Sequence, residues 1–373
     1  MTILIIGAGL SGCVLAERYA SLGKKVIILE KRNHIAGNCY DYRDSNGILI
    51  SKYGPHLFHT DSEVVWSYVQ KFSKWIDWKH KCYAYHGGAY FPIPMNIKTV
   101  NDVYGLNLQT GEEMEEFLKS KRVHFDTIET SEQLGLNRFG KELYEKFIEG
   151  YTTKQWNRPP SELDSSVVAR IPIRYSFEEA YFSNKYQALP EKGYTEFCMA
   201  IIANSLIDIK LCHEFEPIDT SKYEKVFYTG PIDAYFSTAG LPKLQYRSLR
   251  FEIEDHAVKF YQANSIVNYP DMAVPYTRIT EYKHFLNQES ERTTIVKEYP
   301  SDEGEPYYPI PDPRNRALYE QYRTLAEKEE KENNVFFVGR LANYKYFNMD
   351  DAILNALELF EKLEEPKNLQ ILL

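Results

Sequence analysis

The sequence predicts an α/β protein with a Rossmann-like nucleotide-binding domain, an inserted helical domain and an antiparallel β-sheet domain. Three observations lead to this fold class. A glycine-rich turn joins an apolar strand to a helix at the start of the chain, apolar residues take a helical period from residue 97 to 186, and alternating segments follow from residue 244 to 298. A helical stretch between two groups of strands is typical of an inserted domain.

The chain begins with a strand, a turn and a helix in immediate succession. Residues 3–6 form an apolar run, as in a strand that is buried on both faces. Gly7, Gly9 and Gly12 follow, and apolar residues at helical spacing predict a helix over residues 13–21. A second strand over residues 25–29 ends at Glu30.

This unit has the spacing of a dinucleotide-binding motif. Its glycines permit a tight turn and a close approach of the backbone to a pyrophosphate, and the helix N-terminus attracts phosphates. Glu30, about 20 residues further on, is placed to accept a hydrogen bond from a ribose hydroxyl, and an acid there disfavours a 2′-phosphate. The alternative interpretation is a glycine-rich turn in an ordinary sheet protein.

The amino-acid composition and net charge argue against several classes of function. The 373 residues are 43% hydrophobic and 26% charged, and the formal net charge of −9 disfavours non-specific nucleic-acid binding. No apolar run is long enough to span a bilayer and no signal peptide precedes the first strand, so a cytoplasmic location is expected. Five cysteines without a CxxC pair and nine histidines without ligand spacing predict neither a disulfide framework nor a metal site.

The next segments carry candidate ligand-binding residues. A Gly-Pro loop over residues 53–60 contains His56 and His59, which are either structural or in contact with a ligand. A helix is predicted over residues 61–72, with an apolar face made of Val64, Val65, Tyr68 and Val69. Short strands are predicted over residues 78–95, around a turn at residues 86–88.

The helical region contains an aromatic cluster and a basic connector. Its clearest predicted helices cover residues 112–120 and 141–149. The aromatic residues either pack helices together or form a platform on which a base stacks, and they are Phe147, Tyr151 and Trp156. The connector contains a proline between Arg170 and Arg174, two arginines that are either solvated or able to close over a phosphate.

Strand and helix patterns of the first type return near residue 193, so the nucleotide-binding domain is predicted to be discontinuous. Helices are predicted over residues 195–204 and 314–331, and a last helix has Asn348 as its N-cap. Strands are predicted over residues 207–215, over 225–231, where a Gly-Pro pair ends the strand, and over 334–340. The predicted domains are the Rossmann-like domain at 1–78, 193–240 and 316–373, the helical domain at 97–186, and the sheet domain at 79–96 and 241–315.

Several blocks together resemble the bacterial UDP-galactopyranose mutase family over nearly the whole chain. They are the glycine turn with Glu30 and Asn38, and residues 53–60, 150–156, 170–174, 275–279, 306–309 and 339–341. This combination is far more specific than the glycine turn alone, which many flavoproteins share.

The resemblance implies a flavin-dependent isomerase that interconverts UDP-galactopyranose and UDP-galactofuranose without net redox change. In this family FAD is bound non-covalently and must be reduced. Its N5 atom attacks the anomeric carbon and displaces UDP, and the sugar then opens, recloses on its 4-hydroxyl and returns to UDP. The resemblance further implies UDP-galactose as the bound partner and a homodimer.

Residue roles also follow from the resemblance. The two arginines that stabilise the departing diphosphate match Arg174 and Arg278, and a planar guanidinium can bond two oxygens at once. The substrate contacts match Phe147, Tyr151, Thr152, Trp156, Tyr181, Asn268, Tyr308, Tyr346, His59 and His80. The cofactor contacts match Gly7, Gly9, Leu10, Ser11, Gly12, Glu30, Lys31, Asn38, His56, Leu57, Glu214, Phe215, Arg340, Phe347, Asn348, Met349 and Ala352.

Four positions bear on how this chain differs from the family pattern. Ala36 stands where the family usually has glycine, Asn348 where an aspartate is expected, and His80 where a substrate-facing asparagine is common. His59, in place of an arginine, fits plain galactose better than an N-acetylated sugar.

Two other function classes stay open on the same nucleotide fold. An amine-oxidase-like flavin oxidoreductase would consume oxygen with an amine or a porphyrinogen. A non-catalytic binding protein similar to the GDP-dissociation inhibitors would use no flavin.

Overall fold

The computed structural model describes residues 2–216, 219–310 and 312–364. Its strands, numbered in chain order, are β1 Thr2–Ile6, β2 Lys25–Leu29, β3 Asp41–Arg43, β4 Leu49–Ser51, β5 Phe58–Thr60, β6 Trp75–Asp77, β7 Cys82–His86, β8 Ala89–Ile93, β9 Tyr186–Pro190, β10 Ile207–Lys210, β11 Tyr223–Tyr228, β12 Tyr246–His256, β13 Ile266–Asn268, β14 Arg278–Glu281, β15 Thr293–Ser301, β16 Tyr308–Pro309 and β17 Val335–Phe337. Its α-helices are α1 Leu10–Ser21, α2 Glu63–Val69, α3 Ile97–Tyr104, α4 Gly111–Lys121, α5 Ser131–Leu143, α6 Gly150–Trp156, α7 Ser166–Ala169, α8 Tyr194–Ile201, α9 Ile232–Tyr235, α10 Pro313–Asn333 and α11 Met349–Glu364.

A parallel five-stranded sheet carries the nucleotide-binding motif. Its order is β10, β2, β1, β11 and β17, which is the Rossmann arrangement with β1 at the centre. Side chains of a strand alternate between the two faces, so Ile3 and Ile5 enter the core beneath α1 and α11. Leu4 and Ile6 enter the opposite core, beneath α10. The predicted Rossmann-like fold is confirmed.

The second large sheet of the fold has seven strands. Its order is β16, β12, β15, β14, β13, β7 and β8. Every neighbouring pair is antiparallel except β7 and β13, which run parallel. The parallel pair is possible because the hairpin of β7 and β8 comes from a distant part of the chain, so no turn fixes its direction relative to β13.

The segment between β8 and β9 is helical, as its apolar period predicts. Helices α3 to α7 enclose a core of large apolar side chains, among them Met114, Leu118, Phe139 and Val168. The predicted helix over residues 141–149 is divided in the structure, because α5 ends at Leu143 and a π-helical segment, Tyr144–Glu149, leads into α6. π-helical insertions are common at functional sites.

Some predicted elements are shorter than expected. The helix predicted over residues 61–72 is α2, and Ser62 caps it by accepting a hydrogen bond from the Val65 N–H. Val64 does not belong to its buried face, since it is 57% exposed. The strand predicted over residues 207–215 ends at Lys210. Beyond it Cys212 has a φ angle of +57°, which is incompatible with a strand, although its N–H still donates to the Arg32 carbonyl oxygen at 3.0 Å.

The division into three domains stays a prediction. The helical segment has an apolar core of its own, whereas Ile266 and Val296 of the antiparallel sheet share one core with residues of the parallel sheet. Among the helices of the described residues, none is long and apolar enough to cross a membrane.

Candidate functional site

A cavity of about 470 Å³ lies at the carboxyl ends of the strands of the parallel sheet. Gly7 follows β1, Glu30 follows β2, Thr229 follows β11 and Gly339 lies just beyond β17, and all four line this cavity. Ligands of open α/β sheets bind at this edge, where the strand order reverses. The cavity therefore lies where the fold places a dinucleotide.

The glycine turn is shaped by close contacts that exclude a side chain. Gly7 has a φ angle of +105°, and a Cβ atom there would lie 2.1 Å from the hydroxyl oxygen of Thr229. A Cβ atom on Gly12 would lie 2.0 Å from the carbonyl oxygen of Gly7. Helix α1 starts directly after Gly9, so its first N–H groups lack intrahelical partners and face the cavity mouth. This geometry fits a pyrophosphate.

Glu30 is oriented by the backbone around it. Its carboxylate is only 5% exposed and accepts hydrogen bonds from the N–H groups of Ala8, at 2.8 Å, and Arg32, at 2.9 Å. Each oxygen keeps a second lone pair, which a ribose hydroxyl could use. The Arg32 guanidinium lies 4.2 Å from the ring centroid of Tyr53 and donates to the Asn38 amide oxygen at 3.0 Å.

The far end of the cavity is electropositive. Arg340 lines it and is held by the Phe347 carbonyl oxygen, to which its Nε donates at 2.9 Å. Helix α11 begins at Met349 beside this arginine, and the Asp351 carboxylate accepts from the Asn348 N–H at 2.9 Å. A helix N-terminus carries partial positive charge. This end of the cavity therefore favours an anionic ring system.

His56 lines the same cavity in a neutral form. Burial, together with the charge of Arg340, lowers the pKa of His56 to about 4. Its Nδ1 lies 2.9 Å from the Gly54 carbonyl oxygen. The imidazole is therefore uncharged near neutral pH and adds no second charge beside the guanidinium.

Most of the predicted cofactor contacts meet at this cavity. Fourteen of the seventeen predicted residues line it, and the exceptions are Gly12, Leu57 and Phe347. Gly12 packs against the carbonyl oxygen of Gly7, and Phe347 accepts a hydrogen bond from Arg340, so both contact residues that line the cavity. Leu57 packs against the main apolar core.

The structure also explains Ala36. This residue has a φ angle of +69° in the left-handed region, is buried, and donates its N–H to the Ala8 carbonyl oxygen at 2.8 Å. A left-handed conformation strains any residue with a Cβ atom, by about 1–2 kcal/mol. The position therefore favours glycine, and alanine keeps the same turn at the cost of some strain.

Sequence reasoning missed part of the cavity lining. Residues outside the predicted set that line it include Arg32, Gly37, Thr229, Gly230, Pro231 and Glu305. The signal for the segment 229–231 was available, because it follows an apolar strand with a Gly-Pro pair, and the ends of parallel strands meet at one edge. Glu305 lies in an irregular loop, where no periodicity marks it.

A second group of polar residues begins at Arg340. Its guanidinium lies 5.3 Å from the ring centroid of Tyr308, and Tyr308 stacks on Tyr346 with 5.2 Å between centroids. Arg170 lies 4.2 Å from the other ring, that of Tyr346. Cations above aromatic rings are attracted to the ring faces. Arg340 therefore links the sheet-edge cavity to a cationic and aromatic group.

Arg278 anchors this second group. Its Nε lies 3.2 Å from Glu298, whose carboxylate is buried. Burial opposes the positive charge, but Glu298 and the neighbouring hydroxyls of Tyr151 and Tyr308 hold the pKa of Arg278 well above its usual value. Burial also raises the pKa of Tyr181 to about 12. Near neutral pH the group therefore offers a guanidinium cation and protonated hydroxyl donors.

Two histidines and an asparagine belong to the same group of polar residues as Arg278. His80 is 3% exposed, its Nδ1 has no hydrogen-bond partner, and burial, with the charges of Arg278 and His59, lowers its pKa to about 3. The Asn268 amide oxygen is likewise buried without a partner, and Asn268 is the cross-strand neighbour of Arg278. His59 stacks on Phe182 with 3.8 Å between centroids. Buried polar atoms without partners indicate a place for a polar ligand.

The remaining predicted substrate contacts are less exposed to solvent. Phe147, Thr152 and Trp156 are buried, and Phe147 packs on the Phe91 ring with 5.1 Å between centroids. Tyr151, on the same helix as Thr152 and Trp156, is only partly buried. Tyr151 is thus the most accessible ring of this set, and the roles of the others stay predictions.

Arg174 has a separate environment. Its Nη2 donates to the Tyr181 carbonyl oxygen at 3.1 Å, and its Nε is buried without a partner. The side chain lines a different cavity of about 480 Å³, between Trp66 and Phe182. The Arg174 N–H donates to the Met95 carbonyl oxygen at 2.9 Å, which anchors this end of the connector to the chain beyond β8.

Comparisons with known proteins agree with this architecture. The sequence model of the UDP-galactopyranose mutase family matches residues 146–346, and a model of the NAD(P)-binding Rossmann-like domain matches residues 5–72. The fold also resembles that of a reduced UDP-galactopyranose mutase in a crystal structure, with a TM-score of 0.77 and 16% identity, covering 98% of this chain and 96% of the other.

Relatives cover almost the whole chain. A probable UDP-galactopyranose mutase of Klebsiella pneumoniae is 41% identical over 363 residues, which are 95% of this chain and 93% of that protein. A dTDP-fucopyranose mutase of Escherichia coli is 34% identical over 95% of this chain and 96% of its own length. A UDP-galactopyranose mutase of Mycoplasma pneumoniae is also 34% identical, over 96% and 95%. The chain therefore belongs to the UDP-galactopyranose mutase family.

Proposed function

We propose that this protein is a mutase that converts UDP-galactopyranose into UDP-galactofuranose, with reduced FAD and without net redox change. The observation that carries this proposal is the position of Arg340. It lines the dinucleotide cavity and also faces the stacked rings of Tyr308 and Tyr346, next to Arg278. A cofactor in the cavity and a nucleotide sugar beside Arg278 would then meet at one point.

The residues around the cavity fit FAD. The turn at Gly7 and Gly9 would hold the pyrophosphate, Glu30 a ribose, and Arg340 with the N-terminus of α11 the anionic reduced ring. When bound and reduced, FAD supplies nucleophilic chemistry at the anomeric carbon of the sugar. The protein contributes binding, orientation and electrostatics.

The protein's own groups act on the leaving diphosphate. Charge builds up on UDP as the bond to the sugar breaks, so fixed cations and hydroxyl donors stabilise the transition state more than the bound substrate. Arg278 is already charged and positioned by Glu298, and Tyr308 lies near both Arg278 and Arg340. The sugar would satisfy the unpaired atoms of His80 and Asn268.

Replacement of Arg174, the second predicted catalytic arginine, tests its assigned role directly. Arg174→Ala is expected to lower kcat by about 100-fold or more, as for a lost transition-state donor. The matched control is Arg43→Ala, which removes an exposed arginine from the β3–β4 hairpin. Steady-state rates of both reduced variants decide the matter, and unchanged turnover in Arg174→Ala would remove this residue from the mechanism.

The choice of sugar is the next prediction. His59, stacked on Phe182, leaves a neutral ring where a positive side chain could otherwise contact an N-acetyl group. We expect the reduced protein to turn over UDP-galactose faster than UDP-N-acetylgalactosamine and dTDP-fucose. The third compound is included because a dTDP-fucopyranose mutase is among the relatives.

The experiment combines an absorbance spectrum with product analysis. The purified protein should be yellow with a flavin spectrum, and after dithionite treatment UDP-galactofuranose should appear in the chromatogram. Oxygen consumption with an amine would favour an oxidoreductase, and a colourless protein that binds no flavin would favour a non-catalytic binding protein. Faster turnover of dTDP-fucose than of UDP-galactose would reassign the substrate. A homodimer and a cytoplasmic location stay predictions from the sequence.

A further inference from the structure

Lys154 makes an unusual set of contacts next to the proposed substrate site. Its ammonium nitrogen lies 2.5 Å from the carbonyl oxygen of Tyr269 and 2.9 Å from those of Asp271, Val274 and Tyr276. All four acceptors belong to one loop, the segment 269–277. One side-chain cation thus contacts four of the nine carbonyl oxygens of this loop.

This loop, which we call the 269–277 loop, joins two strands that carry site residues. Strand β13 ends at Asn268 and β14 begins at Arg278, and these two residues are direct cross-strand partners. The loop closes on itself where the Tyr269 N–H donates to the Thr277 carbonyl oxygen at 2.8 Å. Its conformation therefore sets how Asn268 and Arg278 sit relative to each other.

The helix that carries Lys154 also carries proposed substrate contacts. Tyr151 and Trp156 lie on α6 with Lys154. Gly150, four residues before Lys154 and thus on the same helix face, touches the same loop. A Cβ atom on Gly150 would lie 2.3 Å from the Pro270 carbonyl oxygen. The loop is therefore seated on α6 by one close backbone contact and by one charge.

The chemistry of this arrangement explains why a cation is needed. Four carbonyl dipoles that point at one spot repel each other unless a donor or a positive charge lies among them. A lysine ammonium has three N–H donors and a compact charge, which suits convergent carbonyl oxygens better than a planar guanidinium does. The loop is further held by His86, whose Nδ1 lies 2.6 Å from the Asp271 carboxylate.

We propose that Lys154 is a positioning residue that fixes the distance between the α6 ring platform and the Asn268–Arg278 pair by holding the 269–277 loop. Lys154 does not line the sheet-edge cavity. The proposal rests on the proposed function, because it assigns Lys154 a role in orienting groups that bind the nucleotide sugar. A displacement of about 1 Å in such groups can lower a rate by about 100-fold.

The test compares three variants of the full-length flavoprotein. Lys154→Met removes the ammonium but keeps an unbranched chain, Lys154→Ala opens the site, and Lys141→Met serves as the control, since Lys141 is 76% exposed on the neighbouring helix. UDP affinity is measured by titration calorimetry, and kcat and KM are measured with UDP-galactose. The assays run at pH 7, below the pKa of about 8 to which burial lowers Lys154, so that the ammonium is charged.

We expect Lys154→Met to lower kcat by about 10- to 100-fold and to weaken UDP binding, with unchanged flavin content. Propylammonium, which reproduces the atoms removed in Lys154→Ala, should restore UDP affinity in that variant. Tetramethylammonium has the charge but no N–H donors and should not restore it. A role in global stability alone would not give this selective rescue.

Two results would overturn the proposal. One is wild-type UDP affinity and kcat in Lys154→Met. The other is a loss in Lys154→Ala that propylammonium does not reverse while the flavin stays bound. Failure of the wild-type protein to bind UDP or to turn over UDP-galactose is a different outcome, which would contradict the proposed function itself.

Discussion

Arg278→Ala is expected to lower kcat by about 100-fold or more, which corresponds to about 2.7 kcal/mol of lost transition-state stabilisation. The reason is geometric as well as electrostatic. Arg278 is held at 3.2 Å by Glu298, so its charge is in place before the diphosphate begins to leave. A preorganised cation does not have to reorganise during the reaction, and KM should therefore change less than kcat.

The measurement separates catalysis from folding. Removal of Arg278 leaves the buried carboxylate of Glu298 without its partner, which can destabilise the protein. The double variant Arg278→Met with Glu298→Gln removes both charges and should show the same loss of kcat with better stability. Arg250→Ala is the control, because this arginine is 62% exposed on β12 of the same sheet. Near-normal turnover in the double variant would contradict the assigned role.

The nucleotide motif could be predicted from the sequence because its determinants are local. Gly7, Gly12 and Glu30 belong to one continuous unit of two strands with a turn and a helix between them, so spacing alone places them. The structure then adds the reason, since a Cβ atom at either glycine would collide with Thr229 or with the backbone. The same logic accounts for Ala36, whose left-handed backbone explains why glycine is usual there.

Contacts between distant segments could not be predicted. Strand β10 ends ahead of the left-handed residue Cys212, and β7 is parallel to β13 because the hairpin of β7 and β8 comes from a distant part of the chain. The cage around Lys154 depends on a loop more than 100 residues away, and no periodicity in either segment indicates it. The π-helical turn before α6 is likewise set by packing rather than by composition.

The substrate residues could be predicted as individual positions, but their grouping in space could not. The resemblance named them as separate positions, and the structure brings Arg278, Tyr308 and Tyr346 together with Arg340 but places Arg174 at another cavity. Arg174 donates to the carbonyl oxygen of Tyr181, itself a predicted substrate contact. The predicted effects of the two arginines are therefore tested separately.

The second large effect concerns the oxidation state of the protein. Dithionite-reduced protein is expected to interconvert the two forms of UDP-galactose, and the oxidised protein is expected to show no measurable turnover. Arg340 and the N-terminus of α11 place positive potential at the end of the cavity, which favours an anionic, electron-rich ring there. Because the sugar isomerisation has no net redox change, one reduction should support many turnovers.

The most direct measurement follows UDP-galactofuranose by chromatography while a single anaerobic sample is reduced, reoxidised with air and reduced again. We expect product formation in both reduced phases and none in the oxidised phase, with far more product formed than reductant consumed. Full turnover by the air-oxidised protein, or product formed only in proportion to the reductant added, would contradict it.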